Sequence, residues 1–127
     1  MTNDSPLSFA LPAIARKKVM AAFDGGRLSS DSGVMLLGLA ERRRALAQTF
    51  AALIADPRNP THITHMVVDV LRSRMLAIAC GYPDGNDLTF LRSDPAFKLA
   101  CGRLPDTGAN LCSQSTVSRW ENAPTLR

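Results

Sequence analysis

The stretch Thr61–Gly81, THITHMVVDVLRSRMLAIACG, constrains the fold more than any other part of the chain. Its apolar residues Ile63, Met66, Val67, Val70, Leu71, Met75 and Ile78 recur at the spacing of one helical face. Asn59, Pro60 and Thr61 supply an opening, and Gly81 followed by Tyr82-Pro83 supplies a close. Val68, Leu76 and Ala77 widen the apolar surface, which predicts a central helix contacted on several sides. Its length of about 20 residues approaches that of a membrane span. Asp69, Arg72 and Arg74 in its middle argue against one.

A chain of 127 residues with 46% hydrophobic content suits one modest domain with a single core. The net charge of +4, most of it arginine, permits nucleic-acid binding without requiring it. Leu7–Ile14 is too short for a signal peptide, is broken by Pro12, and precedes its basic cluster instead of following it. Cys80, Cys101 and Cys112, odd in number and widely spaced, read as reduced thiols of a cytoplasmic protein.

In chain order, residues 1–18 read as a flexible basic arm ending in Arg16-Lys17-Lys18. Residues 19–127 read as a small, mainly α domain with one short N-terminal strand, Val19–Phe23, turning at Asp24-Gly25-Gly26. Ser29-Ser30-Asp31 offers three candidate N-caps for a helix from Ser32 to about Ala47, with Val34, Leu37 and Ala40 inward. Arg42-Arg43-Arg44 falls at its C-terminal end, where cations meet the helix dipole favourably. Thr49–Ala55 predicts another short helix, broken by Asp56-Pro57-Arg58-Asn59-Pro60 before the central one. Asp87 and Asp94-Pro95 are expected to cap two short helices, with Gly102 stopping the second. Ser113–Asn122, SQSTVSRWEN, closes the series as a helix that packs Val117 and Trp120 inward.

No stretch matches GxGxxG, GxxxxGK[ST], CxxC, HExxH or GxSxG. Asp84-Gly85-Asn86-Asp87 is too short for a calcium loop and lacks its closing Glu. His62 and His65 could share a helical face, but a metal site needs more ligands and Cys80 lies several turns away. Asp31, Asp87 and Asp94 already have capping explanations, so no catalytic site and no metal site is assigned. The last helix carries a sharper signal. Two short helices, a turn, and then a helix beginning Ser-Gln-Ser-Thr give a helix-turn-helix-like C-terminal end. Gln114 has the chemistry to pair with adenine, Arg119 with guanine, and the Ser115 and Thr116 hydroxyls with phosphate. An ordinary amphipathic helix held by Trp120 explains the same residues, and the preceding turn of roughly ten residues exceeds the three or four of the usual motif.

Three ordered stretches bear on that choice: Phe23–Gly33 (FDGGRLSSDSG), Ala79–Asp87 (ACGYPDGND) continuing into Leu91–Pro95 (LRSDP), and Ser113–Pro124 (SQSTVSRWENAP). Together they resemble the N-terminal region of group-1 DDE-domain insertion-sequence transposases, over about Val19–Pro124. The resemblance implies a protein of DNA transposition, whose RNase H-like core uses three carboxylates and divalent metal, Mg, downstream of the matched region. The chain stops at Arg127 without the alternating strands and helices of such a core, so a truncated transposase segment is expected, with no cofactor of its own. The implied partner is DNA at the transposon ends, with self-association as a further expectation, no membrane, and nucleoid association when bound. Gln114, Ser115, Thr116 and Arg119 are the candidate contacts, and Arg42, Arg43, Arg44, Arg72 and Arg74 weaker phosphate contacts. The competing expectations are an interaction segment docked on a missing catalytic core and a stand-alone helix-turn-helix protein.

Overall fold

The computed structural model describes residues 8–22, 29, 31–54 and 65–122. Among them it is mainly helical, with one two-stranded antiparallel sheet at the N-terminal end. Strand β1, Ser8–Ile14, pairs with β2, Lys17–Ala22, in a register that sets Leu11 opposite Val19 and Ile14 opposite Lys17. This corrects the reading of residues 1–18 as an arm: from Ser8 onward the chain is paired. Pro12 sits at the irregularity in register between Leu11 and Ile14, the kind of position where a missing N–H is tolerated in a sheet. The turn falls at Ala15-Arg16, both with positive φ of 48° and 66°, as a two-residue type I′ hairpin requires. The expected turn at Asp24-Gly25-Gly26 lies outside the described residues.

Helix α1, Val34–Arg44, is shorter than expected because Ala45 turns left-handed at φ 52° and starts α2, Leu46–Leu53. The inward face of α1 is Val34, Gly38 and Glu41; Leu37 and Ala40 face out. Gly38 is required there, since a Cβ would lie 2.9 Å from the backbone of Ala100. Helix α3, Val67–Ala79, begins later than the periodicity suggests, and residues 61–64, with His62 and Ile63 among them, lie outside the described residues. Its buried residues are Val67, Val70, Ser73, Leu76 and Ala77, whereas Met66 and Ile78 are exposed. The buried stripe is thus rotated from the predicted one. Ser73 tolerates burial because its hydroxyl donates to the Asp69 carbonyl at 2.9 Å.

After α3, Gly81 adopts φ 92° and the chain reverses into a 3₁₀ turn, Gly85–Asp87, capped by the Asp84 carboxylate. Asp87 therefore makes no side-chain cap on α4, Leu88–Leu91, contrary to expectation. Helix α5, Pro95–Ala100, is capped by Asp94, which accepts from the Phe97 N–H, and ends at Gly102 with φ 77°. Helix α6, Gln114–Glu121, is capped by Ser113, which accepts from the Thr116 N–H. One core joins these helices, formed around fully buried Phe97, Leu88, Leu111, Val34, Val70 and Val117. The ring of Tyr82 meets Phe97 edge to face. Burying a side chain such as Phe97 stabilises the fold by about 2–3 kcal/mol. Cys80, Cys101 and Cys112 are free thiols, and no described helix is long and apolar enough to cross a membrane.

Candidate nucleic-acid interface

Three segments distant in sequence meet beside the start of α1. The Ser29 hydroxyl donates to the Asp94 carboxylate at 3.0 Å and accepts from the Asp31 N–H. Tyr82 donates its hydroxyl to Asp31 Oδ2 at 2.6 Å. That bond, more than burial, pushes the Tyr82 pKa up, because ionising the phenol would set its charge against the carboxylate. A Cβ placed on Gly85 would lie 3.8 Å from the side chain of Val117 on α6. Ser29 and Asp31 therefore do not cap α1, whose N-cap is Gly33 without a side-chain bond. They tie its entry to α5 and to the loop after α3, while Ser30 lies outside the described residues.

A second network fixes the other helices. Glu41, buried on α1, accepts from the Ala47 N–H with Oε1 at 2.9 Å and from Arg72 Nε with Oε2 at 3.0 Å. It thereby caps α2 from the preceding helix, which offsets the absence of a side-chain cap at Ala45. Arg72 also reaches Asp69, which pairs with Arg103, and Arg103 donates to the carbonyls of Ala109 and Asn110. Buried Lys98 donates to the Pro105 carbonyl at 2.9 Å. Residues 101–113 are pinned by these cations instead of forming a short helix-turn-helix connection. Arg74 pairs with Glu121 at 2.8 Å and fastens α3 to α6.

The sequence-predicted contact residues fall into two groups. On α6, Val117 is buried and Trp120 packs against the core, leaving Ser115 and Arg119 exposed with Gln114 and Ser118 half-buried beside them. Gln114 donates to Ser118 at 2.8 Å, and Arg119 Nε donates to the Ser115 carbonyl at 3.2 Å. Thr116 is half-buried, its hydroxyl 3.3 Å from Ser113 Oγ at the cap. Arg42, Arg43 and Arg44 are exposed at the end of α1, with Arg42 reaching the Leu99 carbonyl at 3.5 Å. Arg72 and Arg74 are half-buried and ion-paired. Three of the nine are uncharged, and of the six arginines Arg72 and Arg74 are held in ion pairs.

Most of the described acids are spoken for: Asp31, Glu41, Asp69, Asp84, Asp94 and Glu121 each hold a cation, a hydroxyl or a backbone N–H. Among the described residues no group of three or more His, Cys, Asp or Glu could hold a metal ion, so this donor set does not fit a divalent-metal centre.

The fold and its polar surfaces define a mainly helical domain, pinned inside by ion pairs and carrying amide, hydroxyl and guanidinium groups outside. The sequence model of the family described as transposase DDE domain, group 1, matches residues 11–127, and the chain belongs to that family. No curated protein and no solved structure matches the chain.

Proposed function

We propose that this transposase-related segment binds double-stranded DNA at the ends of a mobile element, with α6 as the helix that meets the bases. The observation that supports this reading most is the division of α6. Val117, Trp120 and Glu121 hold it to the domain, and the opposite face offers Ser115, Arg119 and the edge of Gln114. Those are groups that read base edges and grip phosphates. Thr116 supports the helix cap beside that face, and Arg42, Arg43 and Arg44 add phosphate contacts. In this reading the divalent-metal chemistry of transposition belongs to carboxylates outside the described residues. The direct test is duplex binding across a salt series, with element-end and scrambled sequences. Arg119→Ala is expected to cost about 1–3 kcal/mol of discrimination between them. Binding no stronger than that of a neutral control protein at low salt would end the proposal.

A second reading, a segment docked on a catalytic core or on a second copy, is favoured by one specific observation. Leu46, Phe50 and Leu53 recur at i, i+4 and i+7 along α2 and are all exposed, Leu53 at 79%. Such a stripe marks an interaction surface. Phe50→Ser with Leu53→Ser would abolish self-association in sedimentation experiments if a second copy covers it. A chain monomeric at high concentration before mutation rules out the second copy.

A further inference from the structure

We propose that the tip of the β1–β2 hairpin and the end of α1 form one phosphate-gripping edge for B-form DNA, made by Arg16, Lys17 and Lys18 with Arg42, Arg43 and Arg44. The inference rests on the reading that the domain binds DNA and adds to it a contact surface separate from α6. Its first support is placement. A groove between hairpin and helix is lined by Pro12, Ile14 and Val19 on one side and Leu39 and Arg42 on the other. Ile14 directly precedes the hairpin turn, and Arg42 opens the arginine triplet, so both basic runs adjoin the same groove.

Charge is the second support. Ser8–Ala22 contains no acidic residue, and the only acid of α1, Glu41, is turned inward onto Ala47 and Arg72. Among the described residues, none of the six cations is ion-paired, whereas Arg72, Arg74 and Arg103 all are. Six like charges in two runs beside one groove repel one another and attract a polyanion. The third support is rigidity. Ala15 and Arg16 occupy left-handed backbone that a residue with a Cβ adopts at a cost of roughly 1 kcal/mol each. The basic run is therefore held at the apex of a paired ribbon, a shape that fits along a DNA groove. Contacts of this kind set position and affinity without reading sequence.

The test is the slope of log binding constant against log salt for the full chain on a random-sequence DNA duplex. Each phosphate contact contributes about 0.9 to that slope. Arg16→Gly with Lys17→Gln and Lys18→Gln should lower it by about 2–3 and weaken random and element-end duplexes by the same factor. Glycine accepts the φ of Arg16, so the turn survives the change. Arg43→Gln with Arg44→Gln, which leaves the Arg42 bond to Leu99 intact, should lower the slope by about 2. Unchanged slopes in both variants, with Arg119→Ala still losing discrimination, would overturn this edge alone. Failure of the unaltered chain to bind any duplex would overturn the underlying reading as well. An A-form RNA duplex bound as tightly as DNA, with the same slope loss, would overturn the assignment to B-form DNA.

Discussion

Arg72, Arg74 and Arg103 sit around α3 and finish on carboxylates; Arg42, Arg43, Arg44 and Arg119 sit exposed at helix ends, where Arg42 and Arg119 meet backbone carbonyls and no described carboxylate. The same side chain thus does two jobs in one small domain. Where a carboxylate faces it, arginine joins helices through planar, charge-assisted bonds. Where none does, it keeps its charge available to a partner. A net charge of +4 cannot distinguish these cases, because the paired and the open cations count alike. The contrast predicts that the two groups separate in experiments that read stability and salt dependence independently.

The largest expected effect lies in the paired region. Glu41→Ala removes the cap on α2 and leaves Arg72 without its nearest carboxylate. A loss of roughly 3–5 kcal/mol in urea denaturation is expected, as for breaking other buried pairs from one side. Arg72→Met should cost less when Glu41 is already alanine than when it is intact, the signature of a coupled pair. Additive losses in that double-mutant cycle would show that the pair is not the organising contact.

The next effect is one of pH, and it acts on the same interior. Burial pushes the Cys101 thiol from 9.0 up to about 11, against the opposing pull of its hydrogen bond with Ser73, and burial also raises Cys112 and Cys80. A raised folded-state value means that the protonated thiol favours the folded chain. That contribution is fully present below pH 9 and is lost as pH climbs toward 11. The Tyr82 phenol, held by Asp31, adds a loss in the same direction. Thermal unfolding should show a weakening over the window of which Cys101 accounts for about 2–3 kcal/mol, and Cys101→Ala should flatten the fall. Arginine stays charged throughout, so the open cations provide an internal contrast.

Much of the molecule is legible in the sequence wherever the physics is local. Asp94 before Pro95, and Gly81 and Gly102 after their helices, all act within a few residues, and the structure uses each as expected; Ser113 caps α6 by the same local chemistry. Ser29 and Asp31 carry the same chemistry as those caps but spend it on Asp94 and Tyr82, tens of residues away. Nothing in local spacing signals such a partner. The face of α3 departs from its periodicity for a related reason. A hydroxyl satisfied by its own helix lets Ser73 go inward, while Met66 and Ile78, apolar and well spaced, stay out. Strand β1 is hidden by its mixture of proline and small residues, and its partner is what makes it a strand. For the candidate site, the polar face of α6 follows from the inward positions of Val117 and Trp120. The pairing of Arg72 with Glu41 requires the fold.

Arg74 provides a smaller and more discriminating test. Its pair with Glu121 is partly exposed, so Arg74→Gln should cost at most about 1 kcal/mol after screening by solvent. The salt slope of DNA binding should not change. A slope lowered by about 0.9 would mean that Arg74 leaves Glu121 for a phosphate in the complex. Ion pairing in the free domain would then be a poor guide to which arginines are available.

The smallest expected stability change belongs to the open cations, and it carries the comparison furthest. Arg43→Gln with Arg44→Gln removes charge from the last turn of α1, where the helix dipole favours it by a few tenths of a kcal/mol. The domain should therefore unfold within about 0.5 kcal/mol of the unaltered chain while its salt slope drops by about 2. Glu41→Ala in the paired region should do the reverse, with a large loss of stability and an unchanged slope wherever the domain remains folded. If instead the Arg43 and Arg44 variant unfolds like a core mutant, those side chains hold α1 in place and are not free for DNA. The two measurements on one pair of variants decide whether charge in this domain is divided between architecture and contact, or serves architecture alone.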